Sequence, residues 1–213
     1  MFFQKDYVLR MIEMMGDFMR RIGEMLDDMH RLRLLDDACR EHCGMDLEAA
    51  GKLSVESIID LLAPQPRLMM AEILYIQALQ TSMPEETREQ LMYRCSRLLL
   101  SLREESLLCE LRWERLNACI TDVGPLFTPR DRMDAAAFLI QAEQFGLGED
   151  QLYESLDEAS LEEYPQLLAQ GQRLMEGCLN LPKGRLETGG LPYPEVLESI
   201  ATLKKRRDTL YTA

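Results

Sequence analysis

Two histidines, one tryptophan and 24 basic residues against 37 acidic ones are the scarcities that constrain this chain most. The basic deficit leaves a net charge of −13, which argues against any role that depends on neutralising the phosphates of a nucleic acid. Because both histidines, His30 and His42, stand near the N-terminus, a Cys–His or Ser–His dyad would have to be built there. No Gly-x-Ser-x-Gly nucleophile elbow occurs, and neither Gly-x-Gly-x-x-Gly nor Gly-x-x-x-x-Gly-Lys is present to cradle phosphate. The basic turn Leu181-Pro182-Lys183-Gly184-Arg185 lacks a second glycine at the needed spacing. The expectation is a protein that is not an enzyme and carries no cofactor.

Long apolar runs are missing too. No stretch approaches the roughly 18 uncharged residues of a membrane span, and the opening Met-Phe-Phe-Gln-Lys-Asp lacks the basic start and apolar core of a signal peptide. A cytoplasmic protein without a membrane partner is expected. Six cysteines (Cys39, Cys43, Cys95, Cys109, Cys119 and Cys178) are too dispersed for a disulfide framework and read as buried free thiols in a reducing compartment. No run combines period-two alternation with β-branched residues, so no strand is expected.

What is present is helical periodicity. From Phe3 to Cys43 there is no proline, and Val8, Met11, Met15, Phe18, Ile22, Met25, Met29 and Leu32 recur at alternating steps of three and four. Ile12, Met19 and Leu26 widen this heptad seam into a stripe, with Lys5, Glu13, Asp17, Arg20, Arg21 and Glu24 opposite. A Met-rich stripe adapts to imperfectly matched surfaces. It suits packing on the protein's own body, pairing with a second copy, or a protein partner. Residues 1–44 are therefore expected to form one long amphipathic helix, and residues 45–213 a continuous helical body.

Along that body, Gly44 ends the first helix and Asp46 and Ser54 cap the next two, the second of which Pro64 and Pro66 should stop. Arg67 to Thr81 is apolar around most of its circumference and reads as a central helix. Residues 85–122 hold neither glycine nor proline; one helix of that length would exceed roughly 50 Å at 1.5 Å per residue, so a break is expected near Arg103 to Ser106. Thr128-Pro129-Arg130-Asp131 is a helix start with cap, N1 proline and N3 carboxylate. Its helix should reach Phe145 and stop at Gly146, with further helices from Glu149 and after Ser160. Asn180 to Tyr193 reads as a loop before a last helix at Pro194.

Two clusters invite chemistry. His30, Cys39, His42 and Cys43 could approach zinc, but Cys39 and Cys43 also continue the seam, His42 projects away from Cys39, and no second paired spacing completes a site. No metal is expected. Between Met133 and Gln172 lie nine acids and no Lys or Arg, a solvated face or a contact for the basic run Lys204 to Arg207.

The helix pairs Leu68 to Leu102 and Asp131 to Glu158, with Ala71, Ala78, Ala137 and Ala142 at close crossings, resemble tetratricopeptide-type helix-turn-helix units without their Trp-Leu-Gly-Tyr signature. The opening Phe3-Gln-Lys-Asp6-Tyr7-Val-Leu-Arg10-Met11-Ile12-Glu13 resembles the start of an uncharacterised family of bacterial, mainly Gram-positive, all-helical proteins. Ala142 to Glu154 and Gly189 to Glu198 are similar to later segments of that family. The resemblance implies an all-α bacterial cytosolic protein of unknown function.

The resulting expectation is an all-α fold, a long N-terminal helix followed by a tetratricopeptide-like array of antiparallel helix pairs. Its function would be non-catalytic protein interaction or scaffolding. The partner-binding candidates are Met11, Met15, Phe18, Ile22 and Met25 on the stripe and Tyr75, Tyr93, Trp113 and Phe138 in a groove. The alternative is a homodimer or larger homo-oligomer assembled through the stripe.

Overall fold

A computed structural model describes residues 28–80, 83–102 and 109–212. Met11, Met15, Phe18, Ile22 and Met25 of the Met-rich stripe lie outside the described residues, as do the expected break at 103–106 and its neighbours. Within them the chain is all helix and turn, with no strand. It divides into two compact units that meet at Val123 and Gly124.

The first unit holds α1 (Asp28–Cys43), α2 (Leu47–Lys52), α3 (Val55–Leu61), α4 (Pro64–Ala78), α5 (Glu85–Leu100) and α6 (Cys109–Val123). The all-round apolar helix is central, as its composition requires: every residue from Leu68 to Leu74 is buried, and α4 packs on both α1 and α5. Each fully buried leucine there contributes about 1.5–3 kcal/mol. From α1 the core receives Leu35, Ala38, Cys39 and Cys43. The helix α3 ends at Leu61, ahead of Pro64 and Pro66 as expected, but the two prolines also belong to the helix that follows. They sit in the first turn of α4, where their missing N–H groups leave no intrahelical bond unmade.

The helices α2 and α3 are too short to be stable alone. Asp46 and Ser54 cap their N-termini through the Ala49 and Ser57 amides. Their C-termini are held by two arginines from longer helices. Arg94 Nη2 donates to the Ala50 and Leu53 carbonyls at 2.7 and 2.9 Å, and Arg67 Nη2 to those of Ile59 and Leu62 at 2.7 and 2.8 Å. Each guanidinium satisfies carbonyls that a helix end leaves open.

The second unit opens with a 3-10 turn (Gly124–Leu126), followed by α7 (Pro129–Gln141), α8 (Phe145–Glu158), α9 (Tyr164–Cys178), α10 (Lys183–Thr188) and α11 (Tyr193–Thr212). Thr128 and Asp131 form the expected reciprocal capping box. Two boundaries differ from expectation. Phe145 starts α8 and does not end α7, because the reversal falls at Ala142 to Gln144, where Glu143 takes a left-handed φ of 62°. Gly146 and Gly148 lie inside α8 as contact points. The stretch from Asn180 to Tyr193 is not simply a loop, since it contains α10, with Leu186 buried in the core.

A Cβ on Gly148 would lie 2.7 Å from Ile140 Cγ1 and 3.1 Å from the Ala136 carbonyl oxygen, so α8 approaches α7 at a distance only glycine permits. The same hairpin is locked by Arg132 of α7. Its guanidinium, 7% exposed, meets Glu154, Glu158 and Gln151 on α8 and donates to the Gly124 carbonyl at 2.9 Å. Phe145, Leu152, Leu168, Met175, Leu186 and Val196 belong to one continuous core of this unit.

Candidate functional site

In the first unit the densest chemistry lies between α4, α5 and α6. Glu72 is 2% exposed, and both its carboxylate oxygens accept from Arg115 Nε, at 3.1 and 3.2 Å. The same guanidinium stands 4.6 Å from the centre of the Tyr75 ring. Burial raises Glu72 above the usual carboxylate range, and Arg115 pulls it part of the way back. Burial also raises the Tyr75 hydroxyl. This is an ion pair with an aromatic floor, and it ties α4 to α6.

Cys95 on α5 and Cys119 on α6 are fully buried within electrostatic reach of that pair. Cys119 Sγ lies 3.9 Å from Met92 Sδ. Interaction with the Cys119 thiol and burial hold the Cys95 thiol well above its ordinary range. A protonated, enclosed thiol is a poor nucleophile. The second thiol pair, Cys39 and Cys43, stacks one turn apart on α1. The Cys43 hydrogen bond lowers Cys39 and the same bond raises Cys43, which also donates to the Pro66 carbonyl at 3.4 Å. Among the described residues no three His, Cys, Asp or Glu side chains gather as metal ligands.

The second unit has its own meeting point, where the α7–α8 turn touches the α10–α11 turn. The Gly146 amide donates to the Gly189 carbonyl at 3.0 Å. A Cβ on Gly146 would lie 2.7 Å from the Gly190 carbonyl oxygen, and one on Gly189 would overlap the Glu143 carbonyl and the Phe145 ring. Gly190 itself adopts a φ of 80°, which closes the turn. Arg185 pairs with Glu143 above the junction, and its hydrogen bond holds Glu143 below the usual carboxylate range. Lys183 stands 4.7 Å from the Tyr193 ring centre. Farther along, the Tyr153 and Ser199 hydroxyls are 2.9 Å apart, joining α8 to α11.

Over residues 2–208 the chain matches a family described as Family of unknown function (DUF6483). The chain belongs to that family. No curated protein and no solved structure matches it. In this member of DUF6483, two of the three segments that carry the sequence resemblance, Ala142 to Glu154 and Gly189 to Glu198, are the two sides of the glycine junction just described. The third, Phe3 to Glu13, lies outside the described residues.

The four aromatic groove candidates of this family member are divided between the two units. Tyr75, Tyr93 and Trp113 are half-buried on α4, α5 and α6 of the first unit, with Tyr75 beneath Arg115. Phe138 is 0% exposed in the second unit. Its place is in the core, where it offers no surface. The acidic stretch does meet the basic run, since Arg206 Nη1 lies 2.8 Å from Asp157; beyond the stretch, Lys204 Nζ lies 3.7 Å from Glu176. No signal in the sequence pointed to the Glu72–Arg115 pair, because its partners stand 43 positions apart on different helices. None of the described helices is long and apolar enough to cross a membrane.

Proposed function

We propose that this protein is a non-catalytic interaction module of the bacterial cytoplasm, a scaffold of tetratricopeptide-like helix pairs that binds a protein or peptide partner. The observation that carries the reading is the α7–α8 hairpin. Two helices of 13 and 14 residues reverse through a three-residue turn and cross at a glycine–alanine contact, the construction that helical-repeat proteins use to present side chains from successive helices. A second support is how the buried and half-buried arginines are used. Arg67, Arg94, Arg115 and Arg132 all join one helix to another or to a helix end. In the first unit the side chains a partner could meet include the half-buried Tyr93 and Trp113 and the exposed Leu61 and Leu79. Aromatic side chains of this kind anchor interfaces because they supply large contact area at small entropic cost. The test is affinity capture on the full chain and on a Tyr93→Ala/Trp113→Ala variant, with far-UV circular dichroism confirming the fold. A partner retained by the first and lost by the second supports the reading; no specific partner for a monomeric protein overturns it.

One observation favours self-assembly as a second reading. Leu32, the last residue of the heptad seam, is 39% exposed, whereas Leu35 beside it is 0% exposed. The face α1 buries on its own unit runs through Leu35, Ala38, Cys39 and Cys43, so the seam is exposed at Leu32 and buried at its continuation in Cys39 and Cys43. A stripe continuing on the Leu32 side would be free to pair with its copy. Light scattering on a chain lacking residues 1–30 separates the cases. A soluble monomer, from a full chain that is dimeric, supports pairing; aggregation supports a stripe that completes the core.

A further inference from the structure

We propose, on the strength of the interaction-module reading, that α3 is a displaceable occupant of its seat on α4 and α5, and that the vacated seat binds an amphipathic helix of a partner protein. α3 is a separate piece of chain. It has seven residues, too few to hold a helix alone, and extended residues flank it, Leu53 and Ser54 before it and Leu62 and Ala63 after it. Rotation at those four positions can move α3 without unwinding a neighbour. α2 stays behind, because the Leu47 amide donates to Asp36 of α1 at 2.8 Å and Arg94 holds the Ala50 carbonyl at 2.7 Å.

α3 is held as a groove holds a foreign helix. Its buried side chains are Val55, Ile58 and, at the C-cap, Leu62, which are the i, i+3 and i+7 anchors of a helix laid in a groove, while Glu56, Asp60 and Leu61 face water. The helix packs on α5, and its strong polar contacts fall on backbone. Arg67 of α4 donates to the Ile59 and Leu62 carbonyls at 2.7 and 2.8 Å, and Arg94 of α5 to that of Leu53 at 2.9 Å. The ion pair of Arg97 with the exposed Glu56, at 3.5 Å, is the weak exception. Open carbonyls occur at the C-terminus of every helix, so Arg67 can receive those of a partner in place of those of α3. The seat therefore selects a helix with apolar residues at i, i+3 and i+7 whose C-terminal end lies toward Arg67.

The probe is the chain's own helix, a fluorescein-labelled peptide of residues 54–63 cross-linked between positions 56 and 60, which are exposed and one turn apart. Emptying the Ile58 anchor in the full chain raises the open fraction and tightens peptide binding by the same factor. By fluorescence anisotropy, Ile58→Ala should bind the peptide at least about 30-fold more tightly than the wild type. Hydrogen exchange of the α3 amides should accelerate by that factor while the amides of Leu68 to Leu74 stay unchanged. Ser54→Ala removes the cap on the Ser57 amide and should give about 5-fold in both measurements; it decides the matter if Ile58→Ala does not fold. Exchange of α3 in step with α4, no peptide binding to any of these chains, or equal affinity for wild type and variants would each overturn the proposal. No cellular partner enters this experiment, so its outcome is separate from that of the affinity capture.

Discussion

Replacing Gly146 by alanine sets two effects of known sign against each other. Gly146 lies in the first turn of α8, and helix propensity alone favours alanine there by up to about 1 kcal/mol. The added Cβ, however, would stand 2.7 Å from the Gly190 carbonyl oxygen and 3.3 Å from its carbon. The obstacle is backbone, held by the Gly146–Gly189 hydrogen bond of 3.0 Å, so it cannot rotate away as a side-chain end would. Overpacking of this kind costs about 1–3 kcal/mol. Where the full propensity gain applies, the contact wins by up to about 2 kcal/mol, a fall in thermal midpoint of up to roughly 4–8 °C for a chain of this size. Gly177, inside α9 with nothing within 4 Å of its would-be Cβ, provides the control. Gly177→Ala should raise the midpoint by about 1–4 °C, for a gain of about 0.5–1 kcal/mol. Differential scanning calorimetry on both variants decides. A rise for both would refute the tight junction between the two turns.

Other consequences follow from the buried charges and thiols. Burial raises Glu72, so its contribution to stability is full below the unfolded carboxylate value of 4.5 and is lost as pH rises through the higher folded value. Glu72→Gln should therefore gain on the wild type in urea midpoint as pH climbs above 4.5, and parallel profiles would exclude this role. Arg132→Ala should cost about 2 kcal/mol, because a 7% exposed guanidinium leaves Gln151 and the Gly124 carbonyl without a donor; its carboxylate partners, half-exposed, rehydrate and limit the loss. Cys109 is the half-exposed cysteine among five buried ones, so an alkylating reagent followed by mass spectrometry should label it first. Equal labelling of all six in the native protein would contradict the burial pattern.

Sequence patterning carries the helices and their order because those depend on local spacing. The all-round apolar set of α4 could become nothing but a central helix, and Thr128 with Asp131 formed the expected cap. Glycine and proline were less transparent. Gly146 read as a helix stop, yet it and Gly148 are both places where another backbone or side chain comes close, a property of residues elsewhere in the chain. Pro64 and Pro66 read as the end of one helix and proved to be the start of the next. The arginine caps on α2 and α3 were invisible for the same reason: Arg94 reaches carbonyls 41 and 44 residues away. Of the groove candidates, Phe138 shows the ambiguity of an aromatic on a helix, which sequence alone cannot assign to a surface or a core.

The most direct test of an interaction module is quantitative affinity capture from the source cells on the full-length chain beside its Tyr93→Ala/Trp113→Ala variant. The account predicts a protein enriched at least about 10-fold by the wild type and lost from the variant, a loss of 1.4 kcal/mol or more in binding. Identical profiles from both chains, with the purified protein monomeric, would contradict it.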